Sequence, residues 1–290
     1  MKLAIHCANL TWPGGPHALG RTLADVARAA DQGGVTTLTM MDHYFQMEPL
    51  GGPAAPMLEG YTSLGFLAGQ TTELELGLLV TGVTYRHPGL LAKIVSTLDV
   101  LSGGRAMLGV GAAWYEREHA GLGVPFPSTS ERFERLEETL QVCRQMWSEE
   151  NGAFAGRHYR LAETVCVPPP VRAGGPNVLV GGSGEKKTLR LVAKYADACN
   201  LYGFEPEQMR HKVEVLEGHC ADMGRDPAAV RRTSLAGRDP FEDLDAFLRL
   251  MEAYAGLGID QVWVTPPSED PVAYVQRLCE ELLPRLRELG

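Results

Sequence analysis

Apolar positions along the chain follow two alternating rhythms. Short, nearly continuous apolar runs predict eight strands at Leu3–Cys7, Thr37–Met41, Leu74–Gly82, Arg105–Gly111, Asn177–Gly182, Ala198–Tyr202, Arg231–Gly237 and Asp260–Pro267. Between them, apolar residues recur at i, i+3, i+4 and i+7, the one-faced spacing of a surface helix. Leu23, Val26, Ala27 and Ala30 form one such stripe; Phe133, Leu136, Leu140, Cys143 and Trp147 form another. Further stripes run through Leu189–Ala196, Met209–Met223, Leu244–Met251 and Val272–Leu286. His87-Pro88 opens one more helix, which runs to about Leu101 and stops at Gly103-Gly104. Alternating strands and helices, with strands apolar on both faces, specify a parallel sheet covered by helices. Eight units in 290 residues, about 36 each, match an α/β fold of the (β/α)8 TIM-barrel type, expected as a single domain over 1–290.

Two stretches break the rhythm. A Pro/Gly-rich loop from Pro49 to Pro56 precedes a helix near Glu59. A longer insertion, about 148–176, separates the fourth helix from the fifth strand and carries Pro168-Pro169-Pro170 and Gly174-Gly175-Pro176. Loops of this length in compact domains are functional covers or disordered. Alternation over Asn151–Leu161 suggests a short hairpin, so an ordered lid insertion is expected.

Composition narrows the function. Lys and Arg total 27 against 36 Asp and Glu, a formal charge of −9, which argues against a nucleic-acid partner. No run approaches eighteen apolar residues and no signal core follows Met1, so no membrane partner and a cytoplasmic location are expected. The six cysteines are scattered without a C-x-x-C pair, which fits reduced thiols. Gly109-Val110-Gly111 begins like a dinucleotide fingerprint but has Trp114 where the third glycine belongs. Gly182–Thr188 imitates a P-loop with Lys186 in a glycine slot. The single E-x-x-H, Glu116–His119, reads as a solvated helix face.

In a parallel barrel the chemistry sits at the C-terminal strand ends. Those ends carry Cys7 to Asn9 with Trp12, then Asp42-His43-Tyr44-Phe45, Leu79–Gly82, Gly111–Tyr115, Gly181–Gly184 and Asn200–Tyr202. The surface is aromatic and glycine-rich, suited to a flat ring. At the fifth strand, glycines let backbone N–H groups approach an anion. A helix expected to start near Glu185 directs its positive end there, with Lys186, Lys187 and Arg190 in its first turn.

The run Val80–Pro88, followed by Thr97–Arg105 and Leu108–Gly111, resembles the luciferase-like flavin and deazaflavin enzymes. Phe154–Tyr159 and Val180–Lys186 extend the likeness, which runs from Leu3 to about Tyr202 and is nearest to the subgroup using the deazaflavin coenzyme F420. The resemblance implies a barrel with a lid insertion, a homodimer, and hydride transfer between F420 and a small organic substrate. It places Asp42 and His43 beside the coenzyme ring, with His43 as the catalytic acid–base. Leu79-Val80 falls where the family has a non-prolyl cis bond forming a bulge behind the ring, followed by contacts from Thr81 and Gly82. Gly111, Ala112 and Ala113 match further coenzyme contacts, and Gly181, Gly182, Ser183, Gly184, Glu185 and Lys186 match the phosphate loop. Trp12, Trp114 and Tyr202 would wall the substrate. Deazaflavin sugar-phosphate dehydrogenases carry a glutamate near position 114; Trp114 stands there instead, so a sugar phosphate is not the expected substrate.

Alternatives of each class remain at this point. The phosphate loop would also serve FMN in a luciferase-like monooxygenase. His6, Asp42 and His43 could belong to a metal-dependent TIM-barrel hydrolase, although no resident metal is expected. A flavin-storage protein would bind the coenzyme without turnover. Arg86 is suited either to a phosphate or to a carboxylate on a neighbouring loop, His87 to capping a helix, and His43 to tying strand ends together by pairing with Asp42.

Overall fold

The computed structural model describes residues 1–203 and 205–289. Eight parallel strands close into a barrel: β1 (Lys2–Cys7), β2 (Thr37–Met40), β3 (Glu75–Leu78), β5 (Ala106–Gly111), β8 (Asn177–Gly181), β9 (Ala198–Leu201), β10 (Arg231–Leu235) and β11 (Ile259–Val264). β1 lies between β2 and β11, and β3 closes the ring by pairing with β5 at Leu76↔Ala106 and Gly77↔Met107. A two-residue strand, β4 (Thr81–Gly82), continues the third strand beside β5. All eight sequence-derived strands are present, most trimmed by one or two residues at their ends.

The helices bury the expected stripes. α1 (Pro16–Gly33) packs Leu19, Leu23, Val26, Ala27 and Ala30 inward and ends at Gly34, whose φ of 82° suits a left-handed cap. In α3 (Pro88–Ser102), His87 is the N-cap, its Nδ1 accepting the Gly89 N–H at 3.3 Å, and Gly103 (φ 69°) ends the helix. α5 (Thr129–Met146) starts from a Ser128 cap and buries Leu136, Leu140 and Cys143. The remaining helices are α2 (Gly60–Ala68), α4 (Glu116–Leu122), α6 (Thr188–Tyr195), α7 (Pro206–Asp222), α8 (Leu244–Ala255), α9 (Pro271–Arg277) and α10 (Leu283–Arg287), the last two joined by a π-helical turn. Among the described residues no helix is long and apolar enough to cross a membrane.

The third strand is interrupted at Leu79–Val80, a cis peptide at the position the resemblance implies, and resumes at Thr81. Two differences from the sequence reading bear on the site. The helix placed near Glu185 starts at Thr188, so the turn after β8 is longer than expected. The E-x-x-H segment is solvated only in its first half: it forms α4, with Glu116 and Arg117 exposed but Glu118 and His119 wholly buried.

The insertion is ordered around an antiparallel hairpin, β6 (Phe154–Ala155) with β7 (Arg160–Leu161). The Glu138 carboxylate of α5 accepts the N–H groups of Arg157, His158 and Tyr159 at 2.7–3.0 Å. Asp99 of α3 accepts those of Val171 and Arg172 at 2.7 and 3.0 Å. These contacts lay residues 148–176 along α3 and α5, and none of them lines the cavity described next.

Candidate functional site

A cavity of about 470 Å3 opens at the C-terminal strand ends, within the range of small-molecule sites. One wall is the third-strand bulge, Leu79, Val80, Thr81 and Gly82; Gly111 to Trp114, Gly181, Gly182 and Tyr202 continue it. Asp42 and His43 also line it, together with His6, Met41, Met47, Arg132, Phe133 and Leu235.

The bulge explains the glycines around it. A Cβ on Gly109 would lie 2.0 Å from the Leu78 carbonyl oxygen. On Gly181 it would lie 2.6 Å from Val80 Cγ1, and on Gly111 2.8 Å from Val80 Cγ2. The Gly-Val-Gly run thus clears space for the neighbouring strand's excursion, which is why it imitates a dinucleotide motif without being one.

Asp42 and His43 do not pair with each other. The buried Asp42 carboxylate accepts Arg86 Nη1 at 2.9 and 2.7 Å and the Gly82 N–H at 2.9 Å, fixing the bulge to β2. Arg86 donates its other arm to Glu59 at 2.6 Å and to the Tyr44 hydroxyl at 3.2 Å. Burial works against the Arg86 charge, but Asp42 holds the guanidinium protonated above its usual range. Burial pushes the Asp42 carboxyl up, opposed by Arg86 and Gly82. Of the two readings open for Arg86, the carboxylate one is the one realised.

His43 instead faces α4. Its Nδ1 lies 2.7 Å from Glu118 Oε1, and its ring packs edge-on against Trp114 and Tyr115, centroids 5.5 and 5.6 Å away. Glu118 also accepts the Tyr44 and Phe45 N–H groups at 2.8 and 3.1 Å and the Tyr85 hydroxyl. Burial would raise the Glu118 carboxyl, yet these hydrogen bonds, led by those of His43 and Tyr85, bring it below the ordinary value. His6 is a second buried imidazole on the cavity wall, its Nδ1 3.0 Å from Thr39 Oγ1; burial, then the charge of His43, lowers its pKa to about 4. The occupied partners of Asp42 and His43 leave no shared metal site with His6, and among the described residues no three His, Cys, Asp or Glu side chains could hold an ion.

Several expected positions lie elsewhere. Trp12 is not a rim aromatic: it is 5% exposed within the core, whereas Trp114 and Tyr202 are open at the cavity, 60% and 46% exposed. Beyond Gly182, the residues Ser183, Gly184, Glu185 and Lys186 do not line the cavity. Glu185 turns to α7, pairing with Lys212 and with His211 at 3.2 Å, because the late start of α6 leaves it on an outward turn. Lys187, not Lys186, reaches the wall, its Nζ 5.3 Å over Phe133. Sequence reasoning missed Glu118 and Arg132. Arg132 donates to the Ala112 and Pro127 carbonyls at 3.0 and 2.6 Å, supporting the turn where Ala113 adopts φ 60°. A lone arginine among the charges of α5 carries no signal for this role.

Fold and site together define a TIM barrel with a bulge-walled cavity at the C-terminal ends of its strands. The luciferase-like monooxygenase family model matches residues 1–238, and the chain belongs to that family. An F420-dependent glucose-6-phosphate dehydrogenase of Nakamurella multipartita is 34% identical, the match covering 92% of this chain and 93% of the relative. Its counterpart from Kineococcus radiotolerans is 37% identical over 54% of this chain, a match spanning about half (48%) of that relative's length. Among solved structures, an F420-dependent secondary alcohol dehydrogenase in complex with an F420–acetone adduct superposes with a TM-score of 0.81, covering 99% of both chains at 17% identity.

Proposed function

We propose that this chain is an oxidoreductase that transfers a hydride between coenzyme F420 and a small organic substrate. The observation that carries the reading is the cavity wall: an interrupted third strand, cleared by glycines on its neighbours and pinned by Asp42, lines the same cavity as His43. The F420-dependent relatives supply the coenzyme's identity. F420 bound there supplies a carbon that accepts or releases hydride; the protein's part is binding, orientation and proton movement. The bulge and Gly111 to Ala113 would hold the ring, with Gly181 and Gly182 toward its phosphate side. His43, at the open side, would give or take the proton that accompanies the hydride. Asp42 acts on the wall through Gly82 rather than on the ring.

The substrate side is apolar. Met47, Phe133, Trp114, Tyr202 and Leu235 line it, and the guanidinium of Arg132 is occupied by carbonyls. An uncharged or aromatic substrate fits this wall better than a sugar phosphate, because the cation of the lining, Arg132, has its N–H groups engaged by the Ala112 and Pro127 carbonyls. We assign the protein to the cytoplasm, as a homodimer whose contact includes the apolar, largely uncharged α3.

Absorbance titration with F420 and with FMN tests the coenzyme. F420 should bind with at least tenfold preference; tight FMN co-purification without F420 binding would overturn the reading in favour of a flavin monooxygenase. His43→Ala should retain coenzyme affinity and lose ~10²–10⁴ in turnover. Normal turnover in that variant would make His43 structural.

A further inference from the structure

We infer that Glu118 is the positioning residue of the site: it fixes the tautomer of His43 so that Nε2, as proton acceptor, faces the cavity. The kinetic part of the inference rests on the hydride-transfer reading; the structural part does not.

The argument is one of donors and acceptors. Glu118 Oε2 receives two backbone N–H groups, of Tyr44 and Phe45, which can only donate. Oε1 faces His43 Nδ1 at 2.7 Å and the Tyr85 hydroxyl. An ionised carboxylate accepts at all four positions, and Nδ1 then has to carry its hydrogen. Those hydrogen bonds hold Glu118 in the charged form despite complete burial. Tyr85 is itself held, stacked on His119 at 4.5 Å. His119 is in turn fixed by the Tyr115 carbonyl and Thr84 Oγ1, both at 2.7 Å.

The ring nitrogen not bonded to Glu118 has no hydrogen-bond partner among the described residues, and the imidazole lines the cavity. With Nδ1–H fixed, neutral His43 offers the Nε2 lone pair there. In the oxidative direction a proton on a substrate heteroatom passes to Nε2 as the hydride on the adjoining carbon passes to F420. The carbon–heteroatom single bond becomes double; the reverse reaction returns both hydrogens.

Glu118→Gln tests this without a change of shape. The amide oxygen has to stay on the Tyr44 and Phe45 N–H groups, which turns the NH2 toward His43 Nδ1. Nδ1 then becomes an acceptor, the hydrogen moves to Nε2, and the site presents a donor where it had a base. Nitrogen-15 NMR of the coenzyme-free protein, which distinguishes the two ring nitrogens, should show Nδ1–H in the wild type and Nε2–H in the variant. Turnover should fall by ~10² or more with the coenzyme KM changed little. Tyr85→Phe removes a neighbouring donor to the same carboxylate and should keep the Nδ1–H tautomer. An Nε2–H wild type, or an unchanged tautomer in Glu118→Gln, would overturn the inference. Should the glutamine variant fail to fold, the wild-type and Tyr85→Phe tautomers still decide it. Failure of F420 to bind would strike the coenzyme reading alone, since the NMR measurement uses none.

Discussion

His6 should make this barrel acid-sensitive by a calculable amount. It sits on β1, is 4% exposed, and has its Nδ1 3.0 Å from Thr39 Oγ1. Burial foremost, and the nearby His43 charge second, lower its pKa from 6.5 to about 4. In the unfolded chain the same imidazole protonates near 6.5. The sign follows from proton counting: between those values the unfolded state binds a proton that the folded state does not, so stability falls as pH falls. Above 6.5 both states are neutral at His6 and the contribution is flat. Over the full interval the loss amounts to roughly 3 kcal/mol, a large part of an ordinary folding free energy. Other groups titrate in the same range, so the measurable quantity is a difference. His6→Gln, with an amide that can still bond Thr39, should be less stable than wild type at pH 7.5, and the gap should narrow by about that amount toward pH 4. Urea unfolding at half-unit pH steps measures it. Wild-type and variant stabilities that stay parallel across the range would refute the reasoning, placing the His6 ring in water or in a charged pair.

Other expectations follow from the same geometry. Gly109→Ala would force its Cβ against the Leu78 carbonyl, backbone that cannot step aside, and should cost 1–3 kcal/mol or more together with coenzyme affinity, read by thermal melts and F420 titration. Gly182→Val, at φ 103°, should weaken coenzyme binding by about 1–3 kcal/mol, and Lys186→Ala, at an exposed position off the cavity, by much less; equal effects would move the anion elsewhere. Trp114→Ala should raise the substrate KM more than it lowers kcat, because the indole is 60% exposed at the open side and touches His43 only edge-on. Light scattering should give twice the 31.5 kDa chain mass at micromolar concentration; a monomer would reject the α3 interface.

The barrel was legible because its signal is repeated. Each strand is an apolar run and each helix a stripe, so an error of two residues at one boundary changes nothing in the count. The glycine-rich fourth and fifth strands were legible for a related reason: Gly109, Gly111 and Gly181 stand where a Cβ would strike the third strand at its bulge, a constraint strong enough to show as composition. The turn after β8 was less legible. Glycines followed by lysines read as an anion loop opening directly into a helix, but nothing local said that three residues would intervene before Thr188 and swing Glu185 toward Lys212.

The contacts around His43 were the least legible, and for a physical reason. Asp42-His43 looks like a pair because the two residues are adjacent, yet successive side chains of an extended strand end point to opposite sides. Adjacency in such a segment therefore argues against contact, and each residue takes its partner from a different neighbour. Asp42 finds Arg86, 44 residues on, in the loop after β4; His43 finds Glu118, 75 residues on, in α4. Glu118 was hidden twice over, once by that distance and once by its setting in Glu116-Arg117-Glu118-His119, a sequence that reads as a surface. What buries it is the pair of backbone N–H groups at Tyr44 and Phe45, donors that any sequence would supply and that no side-chain pattern announces. A charged residue on a short helix after a barrel strand is thus worth testing against the free N–H groups of neighbouring strand ends before it is assigned to solvent. Here that test turns a dismissed motif into the group that orients the candidate acid–base.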